Sequence, residues 1–133
     1  MYESAIDGGG ILATRVSSCL VLAVGKDLAG SALERLRTLA IEELQRQAAN
    51  AVVFDLGALC YLDGQEFAEL RSIARMVDML GAPSIFVGLQ PGVIVHLMRL
   101  EADTAGLRTA LGLDEALQQF GIIGSDGHAR RAP

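Results

Sequence analysis

The residues that could do chemistry in this 133-residue chain are few, and their spacing limits what they could do. Asp55 closes the apolar run Ala51-Val52-Val53-Phe54, and Asp63 follows eight positions later. Paired carboxylates near strand ends can hold Mg²⁺. A phospho-accepting site of that kind also needs acidic residues at an earlier strand end and a lysine at a later one. Val24-Gly25-Lys26-Asp27 and Phe86-Val87-Gly88 do not supply them. His96 has no cysteine, histidine or carboxylate at metal-ligand spacing, and His128 stands in the polar tail. There is no Gly-x-Gly-x-x-Gly after a strand, no Walker lysine and no Gly-x-Ser-x-Gly elbow. Cys19 and Cys60 fall in or beside predicted strands and read as buried, reduced thiols, not as a disulfide framework. No nucleophile and base can be assembled from this set. The expectation is a non-catalytic protein without cofactor or metal.

What remains is the junction Tyr61-Leu62-Asp63-Gly64-Gln65-Glu66-Phe67. Asp63 can accept from the first free amides of a helix, and Glu66, three residues on, can reach back to the Asp63 amide. Both carboxylates complement the positive end of the helix. Gly64 is not explained by this box, because glycine in a helix costs roughly 0.5–1 kcal/mol relative to alanine. Either the backbone requires it or a surface does. Along the same helix Ala68, Ser72, Met76 and Met79 form a second stripe, opposite the core side. Methionines and an alanine facing outward make an adaptable docking surface. The candidate partner-binding set is therefore Asp63, Gly64, Gln65, Glu66, Ala68, Ser72, Met76 and Met79.

The elements that must position this junction follow from periodicity. Residues 11–16 and 19–24 read as two strands of a hairpin. Residues 28–50 carry Leu33, Leu36, Ala40 and Leu44 at helical spacing. Glu34, Arg35, Arg37, Glu42, Glu43 and Arg46 form the solvated face of that helix, with Glu42 and Arg46 as an i,i+4 pair. Residues 51–56 form a central strand covered on both faces. Phe67, Leu70, Ala74 and Val77 mark the next helix, which stops near Leu80-Gly81. Residues 84–87 are another buried strand. Pro91 then opens a helix carrying Val93, Ile94, Leu97 and Leu100. A short strand near Leu107-Arg108-Thr109 and a helix over 114–120, capped by Asp114, complete the order. Alternation of strand and helix predicts an α/β fold with a mixed sheet and helices packed mainly on one face. One domain spans 11–122, with flexible ends at 1–10 and 124–133.

Composition narrows the partners. Net charge is −5 and aromatics are 5% without tryptophan, so the average field repels nucleic acid and there is no base-stacking surface. Arg130-Arg131 is the only basic cluster. No apolar run approaches the ~20 residues that span a bilayer, and Met1-Tyr2-Glu3-Ser4 does not start a signal peptide. The expectation is a cytoplasmic protein that binds neither nucleic acid nor membrane.

The chain from 11 to 120 resembles the STAS family, the domain of sulfate transporters and anti-sigma-factor antagonists, and within it the scaffold subunits of stressosomes. The segments that carry the resemblance are Val52-Val53-Phe54-Asp55-Leu56, Leu62-Asp63 and Met79-Leu80-Gly81-Ala82. Val87-Gly88-Leu89-Gln90-Pro91, Thr109-Ala110-Leu111 and Leu113-Asp114-Glu115-Ala116-Leu117 follow, and the Gly-Leu-Gln-Pro and Thr-Ala-Leu stretches are the more specific. The resemblance implies a partner-switching regulator that binds a GHKL-type serine/threonine switch kinase, an anti-sigma factor or sister STAS (RsbR-like) subunits, as a homodimer or larger assembly. It also implies a phosphorylatable serine or threonine directly after the aspartate, whose phosphate would eject the partner by adding charge at the docking surface. Gly64 occupies that position. A second acceptor of related scaffolds, a threonine before Gly-Ile-x-Pro, is Val87 here. Both acceptor positions are vacated, and neither Ser72 nor Ser84 follows the aspartate. A purely structural STAS oligomer or scaffold and a small-ligand-sensing STAS domain are the alternative roles.

Overall fold

The computed structural model describes residues 4–6, 10–28, 30–47 and 49–121. The elements are β1 (Ser4–Ile6), β2 (Leu12–Val16), β3 (Cys19–Ala23), α1 (Ala32–Gln47), β4 (Ala51–Asp55), α2 (Gly64–Met79), β5 (Ser84–Val87), α3 (Pro91–Arg99), β6 (Thr109–Ala110) and α4 (Leu113–Gln119). The strands form one sheet in the order β1-β2-β3-β4-β5-β6. The leading pairs β1–β2 and β2–β3 are antiparallel, and each later pair is parallel. The sheet is mixed for a simple reason. Short connections reverse the strand, as the two residues between β2 and β3 do, whereas each helix returns the chain to the starting edge and makes a parallel neighbour.

The register sets two faces. Val21 stands opposite Val53, which stands opposite Ile85. On the first face Leu20, Leu22, Val52, Phe54 and Phe86 pack beneath α1, α2 and α3. Phe54 and Phe86 meet edge to face at 5.5 Å. On the second face Cys19, Val21, Ala51, Val53, Ile85 and Val87 pack against Ala116 and Leu117 of α4. Three helices on one face and one on the other give the expected α/β arrangement. They also explain why β4 reads as an unbroken apolar run, since both its faces are covered.

Several local expectations change. Ser4–Ile6, expected to be part of a flexible lead-in, pairs with Leu12–Thr14 as the outer strand. The expected flexible end at 124–133 lies outside the described residues. α1 begins at Ala32, not Leu28, because Gly30 takes a positive φ and breaks the backbone before the helix. Glu43 is buried, and Arg46 pairs with it instead of with Glu42. Gly112, not Asp114, is the N-cap of α4. Cys19 is buried but Cys60 is exposed. Burial pushes the Cys19 thiol up to about 12, against the opposing effect of a backbone hydrogen bond at Val53.

Two outward backbone groups of the β6 edge are capped by side chains. β5 takes the Arg108 and Ala110 carbonyls through the Phe86 and Gly88 amides, so Thr109 and Leu111 turn their backbone groups outward. Gln119 of α4 donates to the Thr109 carbonyl at 3.3 Å, and the Leu111 amide donates to Glu115 at 2.7 Å.

Candidate functional site

The start of α2 is held by the connection that precedes it. Leu59 and Leu62 are buried and pin residues 56–63 to the core. Asp55 turns back on itself, accepting from the Gly57 amide at 2.9 Å. It is a turn residue, and among the described residues no group of three histidine, cysteine or acidic side chains is placed to hold a metal ion.

The loop after β5 is strapped to this connection. Gly88 has φ +79°, and a Cβ there would lie 2.9 Å from the Gly57 Cα. Gln90 donates to the Gly57 carbonyl at 3.0 Å, and the Leu56 amide donates to the Val87 carbonyl at 2.9 Å. Pro91 then starts α3. The Gly-Leu-Gln-Pro stretch thus has a mechanical role: its glycine permits close approach and its glutamine ties two loops at the carboxyl ends of the strands.

Asp63 and Glu66 form the expected capping box. The Glu66 amide donates to Asp63 Oδ1 at 2.7 Å, and the Asp63 amide donates to Glu66 Oε1 at 3.1 Å. Gly64, the first helical residue, is half-buried and has no positive φ. The nearest atom that a Cβ would meet is Leu100 Cδ1 at 3.6 Å, an ordinary van der Waals contact. Of the two explanations for Gly64, backbone geometry therefore falls away. Gly64, Phe67, Ala68 and Leu100 share a shallow groove of about 270 Å³ between α2 and the end of α3.

The stripe along α2 divides. Gln65, Ala68 and Ser72 are exposed and Met79 is 87% exposed, so they share an open face with the helix start. Met76 does not join them: it is half-buried and packs against the core. A stripe drawn at spacings of four, four and three drifts around the helix, and Met76 falls on its inner flank. Val87 is 2% exposed and faces the α4 side of the sheet, away from α2. Gly64 and Val87 do not share one surface.

Sequence reasoning missed Arg71. It is buried on α2, with its guanidinium about 5.9 Å from the Phe67 ring centre. It donates to the Asp103 carbonyl at 2.8 Å and to the Ala105 carbonyl, clamping the α3–β6 loop to α2. Arg75 lies 4.0 Å from the Asp103 carboxylate. Arg71 follows Leu70 and stands four residues after Phe67, so its core-side position was visible in the sequence. His96 is half-buried beside Tyr61, with ring centres 6.0 Å apart.

This arrangement matches known structures. RsbS from Moorella thermoacetica, in a serine-to-glutamate variant, aligns with a TM-score of 0.69 at 26% identity, over 85% of this chain and 94% of that one. The chain has the α/β STAS fold and is similar in structure to RsbS. A stressosome structure, described as a signal integration and transduction hub, aligns at 0.68 and 27% identity, over 82% of this chain and 93% of that chain. The anti-sigma-factor antagonist SpoIIAA in its unphosphorylated form aligns at 0.58 and 12% identity over 90% and 96%, a likeness of fold alone. No protein-family model and no curated protein sequence matches the chain. Among the described residues no helix of this chain is long and apolar enough to cross a membrane.

Proposed function

We propose that this STAS domain is a cytoplasmic, non-catalytic partner-switching regulator that holds its partner in an unmodifiable state. The partner is a GHKL-type switch kinase, an anti-sigma factor or a sister STAS subunit. Docking uses the start of α2: Asp63, Gly64, Gln65 and Glu66, extended over the exposed Ala68, Ser72 and Met79. The observation that carries the reading is Gly64. It sits on an accessible helix start whose backbone would accept a side chain, yet it offers no oxygen to a kinase. Val87, the second vacated position, is buried and gives a kinase no access. Capture then persists where a phosphorylatable relative would be released, because no phosphate arrives to add charge and acceptor oxygens at the interface.

The test is capture of a GHKL kinase encoded beside this chain, with and without ATP. Wild type is expected to stay bound under both conditions and to take up no phosphate. Gly64→Ser is expected to bind, take up phosphate and be released by ATP. Phosphate on the wild-type chain, or release of wild type through its modification, would defeat the unmodifiable state.

A further inference from the structure

The open face of α2 carries a charge that its docking residues do not account for. Exposed along this helix are Gln65, Ala68, Ser72, Arg75, Asp78 and Met79. At about 100° per residue, Gly64, Ala68, Arg75 and Met79 fall within about 60° of one another, so Arg75 stands in line with the helix start. Asp78 comes ten residues after Ala68 and lies about 80° away round the helix, on the flank. Arg75 also borders the groove that begins at Gly64. That groove is apolar at Ala68 and Leu100 and charged at Arg75 and Asp103.

Arg75 is held loosely. Among the described residues its one carboxylate partner is Asp103, whose Oδ2 lies 4.0 Å away, with the two side chains 60% and 74% exposed. A pair this long and this open contributes next to nothing to stability. The other Asp103 oxygen is already engaged: Oδ1 accepts from the Ala105 amide at 3.0 Å. Arg71, one turn before Arg75, brings Asp103 there, because its buried guanidinium donates to the Asp103 and Ala105 carbonyls. The clamp fixes the backbone of the loop and leaves the Asp103 carboxylate beside Arg75, where it is easily displaced. The carboxylates at the helix start, Asp63 and Glu66, are turned onto the backbone of the cap. The chain carries −5 overall, an average field that favours a basic partner. Along this line the local sign is reversed. A partner seated over Gly64 and Ala68 meets a cation, and covering Arg75 without pairing it would weaken the complex. The chemistry that fits is a carboxylate set beside an apolar contact.

We propose that Arg75 selects the partner of the α2 face by taking a carboxylate from it, and that Asp103 is the internal carboxylate which that group displaces. The inference rests on the docking reading above and adds to it the chemistry of the partner. The experiment is titration calorimetry of the full chain with the GHKL kinase encoded beside it. Arg75→Gln is expected to raise the dissociation constant about fivefold and Arg75→Glu about tenfold or more, while Arg75→Lys keeps most of the affinity. Asp103→Asn, which retains an oxygen for the Ala105 amide, should lower the dissociation constant about two- to fivefold, because the competitor is gone. Raising salt from about 50 to about 300 mM should weaken wild type more than Arg75→Gln. Glu42→Gln, at an exposed carboxylate of α1, changes net charge as much as Asp103→Asn does and should leave affinity unchanged. If the pair served only to pin the loop, Arg75→Gln and Asp103→Asn would weaken binding alike. That result overturns the proposal, as does unchanged affinity in Arg75→Glu or an equal gain in Glu42→Gln, and each of these leaves the docking reading in place. A wild type that binds no kinase removes the docking reading, and the inference with it.

Discussion

Gly64 and Gly88 stand at the two loops that crown the sheet, and they are glycines for opposite reasons. At Gly88 the backbone has φ +79°, and the Gly57 main chain would lie 2.9 Å from any Cβ. A side chain there must push one loop off the other. At Gly64 the helix start has no positive φ, and the first atom a Cβ would meet is 3.6 Å away. One glycine is demanded by the fold, and the other is not. A similar contrast separates Val87 from Gly64: Val87 is sealed under α4, whereas Gly64 is half-buried at a helix start beside a shallow groove.

Three substitutions would break or sharpen this contrast. Gly88→Ala should have the largest effect. It combines left-handed strain, roughly 1–2 kcal/mol, with a main-chain overlap of similar cost, for a total of about 2–4 kcal/mol in urea unfolding. A loss below half of that would mean that the two loops are not locked. Val87→Thr comes next. Burying a hydroxyl among Ile85, Val53 and Leu117 should cost about 1–3 kcal/mol. A threonine tolerated there without loss would show room for an acceptor that the packing denies. Gly64→Ala should have the smallest effect and the opposite sign. Removing glycine's backbone freedom should stabilise the chain by no more than ~1 kcal/mol, read from the shift in unfolding midpoint. A clear destabilisation would return Gly64 to the fold and remove the reason to look for it in a partner.

Much of the frame was legible because it is local. β4 announced itself as an apolar run, and the cap of α2 as Asp63 and Glu66 three apart. The misses have local and distant causes. Arg71 was passed over as a charge although its spacing puts it on the core side, and its partners are carbonyls 32 and 34 residues further on. Glu43 was read as solvated from its charge, although it stands seven residues after Leu36 on the same side of the helix and is buried. Met76 was placed outside because a stripe of i,i+4 steps drifts towards the core side. β1 was hidden because three residues before a glycine run carry no periodicity that could be read. The candidate site divided in the same way. Its capping residues were visible in sequence, whereas the accessibility of Gly64 and the burial of Val87 depend on α3 and α4, elements distant along the chain.

The polar side chains of α4 that sit on Thr109 and Leu111 act as a stopper. An unplugged rim would recruit backbone from any passing chain and could grow without limit, as fibrils do. With two of its outward groups already taken, this rim is a poorer template for an added strand than a bare edge of the same length would be.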